Sequence, residues 1–130
     1  MNISSIKETC LYVQDLLATK RFYEEDLGLK IISFVSERHV FFRVGESVLL
    51  CFNPEATKTE TKLPPHFAYG KQHIAFEVPL EEYGLWKDKL SVRGIKITHE
   101  QKWKDNLLSF YFEDPDGHVL EIVQPGIWGE

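Results

Sequence analysis

The chain has 130 residues, long enough for one domain with a substantial core. Its formal net charge is −5 and it carries no basic block or stripe, so nucleic acid is excluded as an expected partner. No apolar run approaches the ~20 residues that span a bilayer, which likewise excludes a membrane helix.

Nine Phe, five Tyr and three Trp argue against disorder and for a packed core or an aromatic-lined pocket. Cys10 and Cys51 both lie in apolar runs and are expected as free thiols. The opening MNISSIKETC lacks the charged and apolar regions of a signal peptide, so the expected location is the cytoplasm.

The first element is a strand. Residues 7–14 alternate, with Thr9, Leu11 and Val13 on one side and Glu8, Cys10 and Tyr12 on the other. Asp15 is placed to cap a helix that runs to about Leu27 on an apolar stripe of Leu16, Phe22, Tyr23 and Leu27. Gly28 supplies its stop. Strands are predicted over 29–35, 39–44 and 47–52, the last two joined by the Gly45-Glu46 turn.

A polar, proline-bearing stretch at 53–70 then predicts a loop or linker. Beyond it the order restarts. A strand is predicted at 72–78 and a helix at 80–93, with Tyr83, Trp86 and Leu90 on one side. Gly94 stops that helix, and strands follow at 95–102, 107–113 and 118–124. Asp114-Pro115-Asp116-Gly117 is a turn in which Pro fixes φ and Gly permits a positive one.

The two halves match in order and in detail. Glu8 precedes Val13 by five residues, as His73 precedes Val78. The helices end in LGLKI and RGIKI, and the halves close with VLLCF and VLEIV. This is a βαβββ unit used twice, about 65 residues apart. The expected class is α+β: one domain over 1–130, with module one at about 5–53, a linker at about 54–70 and module two at about 71–125. In that repeat Glu8 is equivalent to His73, and Leu50 to Glu121.

Three of these four positions carry potential metal ligands inside otherwise apolar strands. A carboxylate on a half-buried strand is costly unless something compensates it. Two carboxylates and an imidazole together suit a divalent cation, with Mn²⁺, Mg²⁺, Ni²⁺ or Zn²⁺ favoured over Fe²⁺. The competing explanations are an ion pair for Glu121, a packed core imidazole for His73 and simple solvation for Glu8.

LYVQDLLATKRFYEEDLGLK, HIAFEV and DPDGHVLEIVQP carry a family resemblance that covers nearly the whole chain. They resemble the vicinal oxygen chelate superfamily, which holds glyoxalase I, fosfomycin-modifying enzymes, extradiol dioxygenases and bleomycin-binding proteins. The resemblance implies two βαβββ modules in a cupped, incomplete mixed barrel of the glyoxalase/dioxygenase-like fold. It implies one divalent ion (Mn, Ni, Zn, Mg or Fe) per site, held by Glu8, His73 and Glu121, and a homodimer in which Glu8 of a given site comes from the same chain or from its partner. A fourth ligand found in glyoxalase I falls at Leu50, which cannot ligate. That departure weakens a strict glyoxalase I assignment.

The function expected is therefore a divalent-metal-dependent, glyoxalase-like lyase or isomerase acting on a small oxygenated molecule. An extradiol-type dioxygenase at the same three-ligand site is the alternative. A metal-free small-molecule or antibiotic binding module is the second. Thiol transfer would call for a basic patch that the sequence does not plainly show.

Glu8 doubles as ligand and base in the expected mechanism, and His39 is the second candidate acid or base. Alternation and loop position nominate Tyr12, Arg43, Leu50, Phe52, Tyr111, Trp103 and His66 for substrate contact. For Arg43 a structural ion pair is an equal reading, and Trp103 also suits a dimer interface.

Overall fold

The structure, a computed structural model, describes residues 1–129. It is α+β, with two compact units, Met1–Gly70 and Lys71–Glu130. Each unit holds one four-stranded mixed sheet.

In the first unit the strands are β1 (Glu8–Tyr12), β2 (Lys30–Val35), β3 (His39–Val44) and β4 (Ser47–Phe52), in spatial order β1-β4-β3-β2. β1 runs parallel to β4, and the other pairs are antiparallel. Helix α1 (Leu16–Arg21) begins at Asp15, whose carboxylate accepts from the Leu17 and Ala18 N–H groups at 3.1 Å each. Its last turn widens into a π-helical segment, Phe22–Asp26, where the Leu27 N–H reaches the Phe22 carbonyl at 3.1 Å. That widening turns Phe22, Tyr23 and Leu27 into the core together, all buried. They pack with Leu11, Val40, Phe42, Leu49 and Cys51, and the Tyr23 and Phe42 rings lie 5.4 Å apart. Neither Cys10 nor Cys51 is in a disulfide.

The predicted linker is not all loop. Helix α2 (Pro54–Thr57) is one turn long, with Pro54 in its first turn and the Asn53 side chain accepting from the Glu55 N–H at 3.0 Å. Proline there gives up an N–H that has no partner in any case. Further along, Arg38 and Glu60 form an ion pair at 3.1 Å.

The second unit repeats the plan. Its strands are β5 (His73–Glu77), β6 (His99–Lys102), β7 (Leu108–Glu113) and β8 (Val119–Val123), in order β5-β8-β7-β6, with β5 parallel to β8. Helix α3 (Tyr83–Val92) buries Tyr83 and Leu90 against Phe110, Phe112, Leu120 and Ile122. The Tyr83 hydroxyl donates to Glu100 at 2.7 Å, and Lys87 reaches the same carboxylate at 2.9 Å. This tie holds α3 to β6. Burial and the Glu100 carboxylate raise the Tyr83 phenol well above its ordinary value.

β6 is shorter than predicted, because residues 95–98 leave the helix before they reach the sheet. Ile95 still bonds the Leu90 carbonyl, and only at Thr98 does the chain take up the Tyr111 carbonyl. The 114–117 turn is as expected: Asp114 Oδ1 accepts from the Asp116 and His118 N–H groups at 2.9 Å each, and Gly117 has φ +81°. No helix is long and apolar enough to cross a membrane among the described residues.

Candidate metal centre

Module two assembles two of the three expected ligands. β5 and β8 set Ala75 beside Glu121, and β7 sets Tyr111 on the other side of it. Strand alternation then puts His73, Ala75, Glu121, Tyr111, Ser109 and His99 on one face of the sheet, opposite the helix. His73 Nε2 lies 3.3 Å from Glu121 Oε1. The His73 side chain is half exposed, whereas that of Glu121 is 7% exposed.

The backbone fixes which nitrogen of His73 faces the site. Its Nδ1 lies 2.7 Å from the Val119 carbonyl oxygen. A carbonyl only accepts, so Nδ1 carries the hydrogen and donates it. In the neutral ring Nε2 is then a bare lone pair aimed at a carboxylate oxygen. Two bare acceptors at that separation repel, so either a proton on Nε2, making a His–Glu ion pair, or a metal cation between them satisfies the contact.

The spacing tests whether that cation can be a divalent metal. Two ligand atoms each about 2.1 Å from one ion and separated by the observed 3.3 Å subtend about 100°. That angle lies between the octahedral and tetrahedral values. Residue types, tautomer and spacing all fit such an ion. A ligating imidazole is normally oriented by an acceptor on its other nitrogen, and here Val119 provides it. Tyr111 supports the carboxylate: its hydroxyl bonds Glu121, and burial first, then the Glu121 charge, raises its pKa.

Module one carries Glu8 at the corresponding place. Glu8 pairs in register with Val48, as His73 pairs with Val119. Leu50 sits between Cys10 and Phe41, as Glu121 sits between Ala75 and Tyr111. The sheet registers thus reproduce both predicted equivalences. Glu8 is exposed, and Leu50 is buried. Among the described residues, no three His, Cys, Asp or Glu side chains group closely enough to hold a metal ion.

The remaining candidates of module one cluster at the other end of its face. The Tyr12 hydroxyl lies 2.5 Å from His66 Nδ1, and the Phe52 ring packs on both, at 6.2 and 4.7 Å. Burial, followed by Cys10, raises the Tyr12 phenol. The linker residue His66 therefore does reach this face.

His39 is buried and stacked 3.9 Å from Phe41. Arg38, which can only donate, meets its Nδ1 at 2.6 Å, so Nε2–H faces Ser33 Oγ at 3.0 Å. Burial, then the Arg38 charge, lowers its pKa and keeps the ring neutral. With both nitrogens engaged, His39 stands in a holding network between β2 and β3. Arg43 is exposed on the same face, at the Glu8 end. In module two, Trp103 is partly exposed and donates from its indole N–H to Ser109 Oγ at 2.9 Å.

Two contributors were not singled out from the sequence. The Val119 carbonyl has no side-chain signature. His99 did have one, since it alternates with Gln101 inside the predicted strand.

Known proteins share this architecture. The metallothiol transferase FosB of Bacillus licheniformis is 30% identical over 121 residues, spanning 92% of this chain and 75% of that protein. The glutathione transferase FosA of Serratia marcescens is 29% identical over 128 residues, spanning 92% and 80%. The crystal structure of lactoylglutathione lyase from Agrobacterium tumefaciens matches with a TM-score of 0.95 at 30% identity, covering 100% of both chains. A sequence model of the Glyoxalase/Bleomycin resistance protein/Dioxygenase superfamily matches residues 5–122, nearly the full length, and the chain belongs to that superfamily.

Proposed function

We propose that this chain is a divalent-metal-dependent enzyme of the glyoxalase-like lyase or isomerase type, acting on a small oxygenated substrate. One observation carries the reading: His73 Nε2 and Glu121 Oε1 face each other at 3.3 Å, with the His73 tautomer set by Val119. The ligand set is His73 and Glu121 from module two with Glu8 from module one. Because Leu50 adds no fourth ligand, the set leaves room for substrate oxygens. When bound, a divalent ion supplies Lewis-acid polarisation of those oxygens.

The protein's own groups do the rest. Tyr111 holds the Glu121 carboxylate in place. Glu8, exposed, is the group that takes or returns the substrate proton. His39 supports the sheet through Arg38 and Ser33, so the proton-transfer role falls to Glu8. Tyr12, Phe52, Leu50 and His66 form an apolar, hydrogen-bonding wall for substrate, and Arg43 meets an anionic group at the Glu8 end. The active species is a homodimer, with Glu8 supplied to the pair either by the same copy or by its partner.

A thiol-transfer reading is the second, favoured by the FosB and FosA relatives at 30% and 29% identity. Against it, the module-two strand face of His73, Ala75, Glu77, Ser109, Tyr111 and Glu121 presents no Lys or Arg.

Metal content tests the site. Wild type is expected to retain about one Mn²⁺, Co²⁺ or Zn²⁺ per chain after desalting, and Glu8→Ala and Glu121→Ala to lose it. Mixing the two variants regenerates one intact site per heterodimer if Glu8 crosses between copies, and none if it does not. Wild type that binds no divalent ion sinks the metalloenzyme reading. Turnover of methylglyoxal–thiol adducts with loaded protein then separates the lyase from transfer to epoxides and from oxygen consumption with catechols.

A further inference from the structure

His99 lies on the same face of module two as the metal pair, one strand beyond Tyr111. Register sets His99 beside Tyr111 and Tyr111 beside Glu121. The Tyr111 ring is 6.1 Å from His73 on one side and 5.8 Å from His99 on the other. Strand spacing puts the Cα atoms of His99 and Glu121 about 10 Å apart. Three rings thus lie in a row, with the proposed ligand pair at one end and an exposed imidazole at the other.

That imidazole has a defined tautomer. The Gln101 amide nitrogen donates to the Lys102 carbonyl at 3.1 Å, which fixes the amide so that its oxygen faces His99. His99 Nε2 lies 3.0 Å from that oxygen, so Nε2 carries the hydrogen. Nδ1 is left as a lone pair. The relay from carbonyl to amide to ring leaves an acceptor on an exposed imidazole.

From this we propose that His99 is a second anchor for the ligand held at His73 and Glu121. The ligand class is planar and vicinally oxygenated. Its two oxygens sit at the metal pair, its flat portion lies over the Tyr111 ring, and a hydroxyl or amine on its far side donates to His99 Nδ1. This rests on the metal reading above. It adds a specificity-determining residue and a requirement on the substrate, namely a hydrogen-bond donor across from the chelating oxygens.

The test uses two probes of nearly equal shape, 4-(hydroxymethyl)catechol and 4-ethylcatechol, titrated into cobalt-loaded protein and followed by the cobalt absorption bands. Wild type is expected to prefer the hydroxymethyl probe by about three- to tenfold, the weight of one neutral hydrogen bond. His99→Phe, which keeps a flat ring, is expected to erase the preference. His99→Asn, which keeps an acceptor, is expected to retain part of it, and Gln101→Ala to weaken it. An equal preference in wild type and His99→Phe overturns the proposal, as does a loaded wild type with no preference. Wild type that takes up no cobalt brings down the metal reading itself, and this inference with it.

Discussion

Replacing Tyr111 by Phe isolates one atom of the candidate centre. Glu121 is 5% exposed, and the Tyr111 hydroxyl hydrogen-bonds its carboxylate. The substitution keeps the aromatic ring, so packing against His73 and His99 is preserved. What goes is a hydrogen bond to a buried charged acceptor, worth about 1.5–3 kcal/mol. For a chain of this size, about 4 °C of melting temperature corresponds to each kcal/mol, so the metal-free variant should melt about 6–12 °C lower. In the proposed metal centre the same hydroxyl orients Glu121 as a ligand, and losing such support typically weakens metal binding about 10- to 100-fold. Circular dichroism melts give the first quantity and cobalt titration the second. A variant that melts within about 2 °C of wild type and binds cobalt within about twofold refutes the assigned role of Tyr111.

Three further outcomes follow from the two modules. His39 has its pKa lowered by burial and Arg38, so the unfolded chain binds a proton that the folded chain refuses. Stability should therefore fall as pH drops from about 7 towards 5, and His39→Gln should flatten that slope in denaturant titrations; an unchanged slope counts against the network. Asp15→Ala removes the acceptor of two helix N–H groups and should cost about 1 kcal/mol, with Asp15→Asn close to neutral, as read by urea unfolding. Phe110 is fully buried beside Tyr83 and Phe112, so Phe110→Ala should cost about 3–5 kcal/mol; a loss below about 1 kcal/mol places the module-two core elsewhere.

Much of this architecture was legible because alternation and punctuation agree in both halves. Asp15, Gly28 and Gly94 mark helix ends, and the closing VLLCF and VLEIV runs place Leu50 and Glu121 on matching positions before any register is known. Where sequence and structure part, hydrogen-bond competition decides. Residues 95–98 look like strand by composition, yet Ile95 spends its N–H on the end of α3. The turn of helix at 54–57 announces itself only through the Asn53-Pro54 pair, easily lost inside a polar stretch. His39 was nominated for chemistry on residue type alone. What surrounds it, an arginine and a serine on its two nitrogens, comes from neighbouring strands and a turn that no local pattern specifies. Conversely, His66 is remote from Tyr12 by 54 residues, and no local pattern announces the hydrogen bond that joins them.

The contact between His73 Nδ1 and the Val119 carbonyl carries a consequence for heredity. Where a side chain orients a ligand, a single codon change can remove the support. Here the support is main chain, present whatever residue occupies position 119. Point mutation can alter the volume at that position but leaves the acceptor in place. Only a slip of β5 along β8 would take it away, and a one-residue slip would turn the whole apolar set of the strand outward. Drift at position 119 is therefore cheap for the proposed metal centre, while insertions and deletions in the two strands disrupt it. Sequence divergence among descendants of this module should then concentrate in substitutions, with the lengths of β5 and β8 and the spacing of the turn before β8 held constant.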